Sequence, residues 1–437
     1  MRWFRRLFWR FFLLIIGENV RYNKIVNVNL KPKSEYWIKT TTGKLIRFAK
    51  NSTTYYRNSK SSITDRLAFK EASVGLLSDA YREDLDKHLI KLVSNPLKNL
   101  VKLFYGKDFI FRFYSGGTTG QPLTIYKNKN SFFTDALLFI RGWKIMGYSL
   151  GDKVLVFYDS YYDYDLSWIN NLSFLSGIKL FFFDSLSEDV IKSFVKEINL
   201  FKPDYIITFP SYINDAANVI RRKKLSLNYF PKGIEISGET LFEHQRKNSE
   251  LVFKTKLYDS YGSMEFGMVA HECNFHNGMH IYEDIVLVKT VKNCLVFTRY
   301  DSFDMPIINY KIGDMGKIIY ERCKCGINGL KIKHIHGRID DYILLPNKKR
   351  YYPTFFRQVL DSCNLEDNNV ILESNMIQSS IRNLVVNVVL SDDNYKEKVR
   401  VCLLKNFNKR LPAINMKVKF PKRIKKRRKF RFIERKI

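Results

Sequence analysis

Between residues 153 and 253, short β-branched or aromatic runs alternate with segments of helical period, and this alternation restricts the fold more than any other feature of the chain. The runs occupy 153–158, 179–183, 204–209 and 233–237, and the helical segments 187–199, 213–224 and 241–253. A helix between consecutive strands returns the chain to the end where it started, so the strands pair in parallel and an α/β fold follows. Beyond residue 258 the helical period stops, and strand patterns dominate to about residue 337, which indicates a β-rich subdomain. Gly337-Arg338 and the polar pair Asp340-Asp341 mark a boundary, after which the chain reads as a small α+β module. A length of 437 residues suffices for two or three domains with a substantial core. The expected division is a lead-in over 1–80, a large N-terminal domain of α/β subdomains plus the β-rich subdomain over 81–338, and a small α+β C-terminal domain over 339–437.

The densest chemistry lies at 114–124, Tyr-Ser-Gly-Gly-Thr-Thr-Gly-Gln-Pro-Leu-Thr. Gly116, Gly117 and Gly120 let backbone approach an anion, while Ser115, Thr118 and Thr119 add hydroxyl donors to a nest of N–H groups. Strand-like stretches at 108–114 and 122–127 flank it, which suggests a hairpin loop; the Gly-Lys-Ser/Thr of a Walker motif is absent. Alone, such a loop is also what a surface turn looks like.

Further segments follow in order. Ile236-Ser237-Gly238-Glu239-Thr240 ends a predicted strand, at the ligand-facing edge of a parallel sheet or simply at a helix cap. Tyr258-Asp259-Ser260-Tyr261-Gly262-Ser263-Met264-Glu265 sets aromatics able to stack on a base beside a carboxylate able to hold Mg²⁺. Residues 305–314 end in Asp314, suited to a pair of ribose hydroxyls, and 335–341 contain Arg338 and Asp340.

In this order and spacing the segments resemble the adenylate-forming ligases, specifically the phenylacetate–CoA ligase-like family and its branch associated with capsular polysaccharide biosynthesis. The likeness runs from about residue 111 to the C-terminus and takes in Arg141-Gly142-Trp143, residues 147–152, Lys202-Pro203-Asp204 and Phe209-Pro210-Ser211. It implies an acid–thiol ligase: a carboxylate attacks the α-phosphate of ATP, giving acyl-AMP and pyrophosphate, and coenzyme A or another acceptor then takes the acyl group. By motif, Ser115 to Gly120 would lie on the phosphates, and Gly238 and Glu239 with Tyr258, Asp259, Ser260, Tyr261 and Gly262 would line the nucleotide. Glu265 would ligate Mg²⁺, Asp314 would hold the ribose with Arg338 close by, and Asp340 would be the hinge of a mobile C-terminal domain that delivers Lys429. Met264 stands where the family has Thr or Ser, Asn309 where it has Arg, Gln121 where Lys is frequent, and Arg428 where it has Gly. These departures define the alternative, a catalytically degenerate nucleotide-binding or scaffold protein on the same fold.

Cys273, His280, Cys323 and Cys325 supply the thiolates and imidazole of a tetrahedral structural Zn²⁺ site, with His271 and His276 as competing ligands and ordinary reduced cysteines as the plain alternative. Related ligases carry a similar pattern. Six cysteines in a chain this long are too few for a disulfide framework, and a cytoplasmic location is the default. No Gly-x-Ser-x-Gly elbow supports a hydrolase, and no apolar run reaches the roughly 18 to 20 residues of a membrane span. Net charge is +31, with ten Lys/Arg in 421–437 and four Arg in 1–10. Such charge draws polyanions, although a general compositional drift toward Lys, Asn, Ile, Phe and Tyr is the plain alternative. No motif supports a nucleic-acid partner. The N-terminal Arg and aromatic residues fit either an interfacial helix at an anionic inner-membrane face or a first helix packed on the body.

Overall fold

The computed structural model describes residues 2–15, 19–26, 32–59, 64–65, 76–78, 110–114, 123–159, 168–171, 173–184, 186–339, 341–351, 356, 359–360, 362–363, 370–411, 413–422, 424 and 432–436. Helices α1 (Arg2–Ile15), α2 (Asn19–Val26), α3 (Glu35–Ser52) and α4 (Thr54–Asn58) open the chain, followed by the short β1 (Thr64–Asp65). Strands β2 (Ile110–Tyr114) and β3 (Thr124–Asn128) form the antiparallel hairpin expected around the Gly-rich loop. The loop itself lies outside the described residues. Helix α5 (Lys129–Ile145) starts directly after β3 because Asn128 caps it, its side chain accepting the Ser131 N–H at 2.9 Å.

The alternating stretch folds as read, through β4 (Val154–Asp159), α6 (Trp168–Asn171), α7 (Ser173–Ser176), β5 (Ile178–Phe183), α8 (Glu188–Phe201), β6 (Tyr205–Thr208), α9 (Pro210–Lys223), β7 (Gly233–Ile236), α10 (Glu243–Phe253) and β8 (Leu257–Ser263). These strands lie parallel in the order β5-β4-β6-β7-β8. β6 and β7 are buried at every residue, as strands covered on both faces must be. Helix α8 covers one face with Ile191, Phe194, Val195 and Ile198, a stripe at helical spacing.

β8 is the pivot of the molecule, since it pairs in parallel with β7 and antiparallel with β9 (Gly267–Glu272). Past it come β10 (Met279–Ile281), β11 (Val286–Val291), β12 (Cys294–Arg299), β13 (Ile307–Arg322) and β14 (Asn328–Arg338), the β-rich part expected from sequence. Together the described strands make one 12-stranded sheet ordered β11-β12-β13-β14-β10-β9-β8-β7-β6-β4-β5, with β1 attached to β13.

After β15 (Ile343–Leu344) and β16 (Arg350–Tyr351), a separate sheet is built from β17 (Ile371–Ser380), β18 (Asn383–Leu390), β19 (Asn415–Lys419) and β20 (Ile433–Arg435), with α11 (Lys396–Arg410) between β18 and β19. Its core takes in Phe242 from the start of α10, whose ring lies 5.0 Å from Phe432. Asn214 of α9 donates to the Leu372 carbonyl at 3.0 Å, so the C-terminal module seats on α9 and α10. Cys363 and Cys402 form a disulfide within it, a single bridge where the sequence argued only against a framework. The described helices include none long and apolar enough to cross a membrane.

Candidate functional site

Side chains alternate along β8, and the alternation sorts the expected nucleotide residues onto two faces. Tyr261 donates from its hydroxyl to Asp314 Oδ2 at 2.7 Å. The register of β13 and β14 sets Asp314 opposite Arg338, whose Nε lies 3.8 Å from Asp314 Oδ1. Burial, then the Asp314 charge, hold the Tyr261 phenol well above its ordinary range, so tyrosine is the donor and aspartate the acceptor. Gly262 follows at the β8–β9 crossing, where a Cβ would come within 2.6 Å of the Gly267 carbonyl oxygen. Glu239 accepts the Ser211 N–H at 3.1 Å, tying the turn after β7 to the start of α9. Gly238, in that turn, has φ +75° against the Phe209 ring, a conformation and a closeness that only glycine meets.

Tyr258 and Ser260 point to the opposite face. Tyr258 is buried among Trp143, Tyr148 and Tyr205 and donates to Asn274 Oδ1 at 2.9 Å. The Ser260 hydroxyl sits 2.8 Å from Glu235 Oε1 and 3.0 Å from the Ile236 carbonyl oxygen. Asp259 shares its face with Tyr261, and its N–H donates to Glu272 Oε2 at 2.9 Å.

Glu265 is buried, and its Oε1 accepts from the Tyr310 hydroxyl at 2.9 Å. A carboxylate oriented in this way suits Mg²⁺, which takes one or two protein carboxylates and leaves its other positions to phosphate and water. Met264 beside it packs against the apolar core of the β-rich part. Asn309, next to Tyr310, has φ +47°, a left-handed conformation that asparagine tolerates better than the arginine expected there. A cavity beside Glu265 is lined by Lys127, Ser131, Arg299 and Asp304. There Asp135 bridges Lys127 and Arg299, and Arg299 Nε also reaches Asp301 Oδ1 at 2.6 Å. Burial opposes the charge on Asp135, and the two cations outweigh it, leaving the carboxyl below its ordinary range.

Under the turn after β7, Glu235 is fully buried and accepts from the Trp143 indole N–H and from Ser260. Burial raises its carboxyl to about 7, only partly offset by those two donors. His271 Nε2 lies 3.8 Å away, and burial pushes that imidazole down to about 4. Both groups are therefore neutral near pH 6. The folded state holds the Glu235 proton up to about pH 7 while the unfolded chain releases it near 4.5, so stability present below 4.5 is lost as pH rises to 7. For His271 the direction reverses, with stability present above 6.5 and lost as pH falls toward 4. Glu235→Gln is expected to flatten the alkaline decline by about 3 kcal/mol, read from chemical unfolding at pH 5 and pH 8. An unchanged pH profile in the variant would remove Glu235 as its cause.

Cys273, His280, Cys323 and Cys325 converge at the ends of β9, β10, β13 and β14, with ligand atoms all within 4.8 Å of one another. Cys273 Sγ lies 3.7 Å from Cys323 Sγ, and Cys325 Sγ lies 3.4 Å from His280 Nε2. A tetrahedron with metal–ligand bonds of about 2.0 to 2.3 Å has edges of about 3.3 to 3.8 Å, so the donor set fits Zn²⁺. Burial keeps His280 neutral, lowering it to about 4, which leaves its ring nitrogen free of a proton for a metal. His271 Nδ1 is instead turned to the Glu272 carbonyl at 2.6 Å and His276 Nδ1 to the Glu272 carboxylate at 3.1 Å, which takes the two competing ligands out of the cluster.

Residues 54–294, more than half of the chain, match the model of the AMP-binding enzyme family. The chain belongs to that family. It is 22% identical over 381 residues to Protein CapK of Staphylococcus aureus, a match covering 80% of this chain and 77% of that protein. To the phenylacetate-coenzyme A ligase of Thermus thermophilus it is 28% identical over 268 residues, covering 56% of this chain and 58% of that protein. The fold is that of a solved 2-hydroxyisobutyryl-CoA ligase in its postadenylation state, with a TM-score of 0.66 at 17% identity, covering 93% of this chain and 90% of that one.

For an AMP-binding enzyme, then, the structure assembles Tyr261, Asp314 and Arg338 from segments far apart in sequence. Ser115, Gly116, Gly117, Thr118, Thr119, Gly120, Asp340 and Lys429 lie outside the described residues. Sequence reasoning missed Glu235, which sits in a short apolar strand, and the Tyr310 hydroxyl that orients Glu265. It also missed the Lys127–Asp135–Arg299 cluster. A carboxylate at the third residue of a fully buried strand was the available signal for the first.

Proposed function

We propose that this protein is an ATP-dependent adenylate-forming ligase that activates a carboxylic acid as acyl-AMP and passes the acyl group to coenzyme A or another acceptor. The observation that carries the reading is the Tyr261–Asp314–Arg338 assembly in a chain of the AMP-binding enzyme family. Asp314 offers two oxygens that suit vicinal hydroxyls of a ribose, while Tyr261 and Arg338 hold it in place. Glu265, oriented by Tyr310, would hold Mg²⁺. When bound there, the ion neutralises phosphate charge and polarises the α-phosphorus. Gly238, Glu239 and Asp259 would line the nucleotide, the loop Ser115 to Gly120 its phosphates, and the C-terminal module would turn about Asp340 to bring Lys429 in. The sequence resemblance supports those last assignments.

Assembly of a surface polysaccharide is the proposed setting, supported by the resemblance to the capsular branch and the similarity to CapK. A cytoplasmic enzyme held peripherally at an anionic membrane face fits the +31 charge. Pyrophosphate release measured with ATP and Mg²⁺ over a panel of carboxylic acids tests the activity. Release dependent on one acid class supports the ligase. ATP binding with no release on any acid would establish the degenerate alternative, which the apolar packing of Met264 favours.

The cysteine–histidine cluster is proposed as a structural Zn²⁺ site, since its four ligands leave no open position. Purified protein is expected to carry about one zinc per chain by elemental analysis. Cys323→Ser combined with Cys325→Ser is expected to lose the metal and lower thermal stability. Full zinc content in that double variant would place the ion elsewhere.

A further inference from the structure

The N-terminal helix is docked with its polar stripe inward. Arg5, buried, donates from Nε to the Gly151 carbonyl at 2.8 Å, and Trp9, one turn on, donates from its indole to the Ser176 carbonyl at 2.7 Å. Arg2 Nε completes the stripe 2.7 Å from Asp152, a fully buried carboxylate that also accepts the Ser149 N–H. Gly151 has φ +94°, and a Cβ there would lie 2.6 Å from the Arg2 carbonyl oxygen, so the helix backbone rests directly on this loop. Three anchors on one side fix the rotation of α1 about its own axis.

That rotation turns the apolar face outward. Trp3 is 71% exposed, Phe4 48% and Leu7 44%, and Leu7 follows Phe4 by three residues and Trp3 by four, which sets the three large side chains on one face. Arg6 and Arg10 are exposed along its edge, and α1 contains no acidic residue. Helix α7, on which α1 packs, presents Phe174 at 58% exposure. Single exposed leucines are ordinary on a protein surface, whereas adjacent exposed Trp, Phe and Leu are not. At 14 residues α1 spans about 21 Å, too short to cross a bilayer but sufficient to lie in its surface.

We infer that the outward face of α1, with Trp3, Phe4 and Leu7 as the inserting residues and Arg6 and Arg10 as the phosphate-facing ones, seats this protein on an anionic lipid surface. The inference rests on the proposed peripheral association and names the part of the chain responsible for it. An anionic headgroup layer answers both halves of the face at once, its phosphates meeting guanidinium and its acyl boundary the aromatic rings. A soluble protein partner would have to offer an apolar groove rimmed with acid in the same arrangement.

Sedimentation of the full-length protein with phosphatidylcholine vesicles, with and without phosphatidylglycerol, tests this. Wild type is expected to bind only the anionic vesicles, less well as salt rises. The triple variant Trp3→Ala, Phe4→Ala, Leu7→Ala is expected to bind at least about tenfold more weakly, and Arg6→Glu with Arg10→Glu to lose the preference for phosphatidylglycerol. Pyrophosphate release without vesicles should be the same in all three proteins, showing that the variants fold. If wild type binds and the triple variant binds equally, the basic C-terminus carries the association and the assignment to α1 falls. Failure of wild type to bind anionic vesicles would overturn the peripheral reading itself.

Discussion

Replacing Glu265 by alanine is expected to cut carboxylate-dependent pyrophosphate release at least about 100-fold, because on the proposed reading it removes the carboxylate that would hold Mg²⁺ against the phosphates. The side chain is buried, so its truncation leaves the Tyr310 hydroxyl without that acceptor, at a cost of about 1–3 kcal/mol. The variant is therefore less stable yet folded, and activity should fall far more than stability does. Glu265→Gln separates the two effects, since it keeps an acceptor for Tyr310 while removing the charge. It should fold like wild type, remain impaired, and require more Mg²⁺ for half-maximal release. Tyr310→Phe should be milder, shifting the Mg²⁺ requirement with less effect on turnover at saturation. Activity near the wild-type level in Glu265→Ala, measured at several Mg²⁺ concentrations, would exclude Glu265 as the metal ligand.

The second large effect concerns stability. Asp135→Ala is expected to destabilise the large domain by about 3–5 kcal/mol, because it strips Lys127 and Arg299 of their shared partner while both remain buried. Asp301 stays on Arg299, so Lys127 is the residue left worst off. For a domain of this size the loss corresponds to a fall of about 5–10 °C in the thermal midpoint. The double variant Asp135→Ala, Lys127→Met should recover part of it by removing the stranded charge, a result that simple loss of packing at Asp135 would not produce. Differential scanning calorimetry of the two variants beside wild type gives the comparison. Additive losses would dismiss the charge-pairing account.

The parallel half of the sheet was legible because its signal is local: a helix or strand announces itself within a few residues through its own period. Asp314, Glu265 and Tyr261 were legible for a related reason, each lying in a short segment whose composition is unusual. The proposed metal ligands Cys273, His280, Cys323 and Cys325 could be named from sequence with His271 and His276 as competitors, and the fold gathers those four while turning the two competitors to Glu272. Tyr258 and Ser260 were read together with Tyr261 because they adjoin it. The pleat of β8 sends them to the other side.

What the sequence determined by itself is the α/β architecture, the order of the segments proposed to bind nucleotide and the kinds of ligand available for a metal, since each follows from residue types within one short stretch. Tertiary structure alone decided that Glu235 is a buried acid with its carboxyl raised to about 7, that Asp135 neutralises two buried cations, and that α1 turns Arg2, Arg5 and Trp9 toward the body and Trp3, Phe4 and Leu7 outward. A charge in a sequence carries no record of whether water or another chain segment will surround it. Burial is set by neighbours distant along the chain, so the state of each of these groups emerged only when the sheet brought those neighbours together.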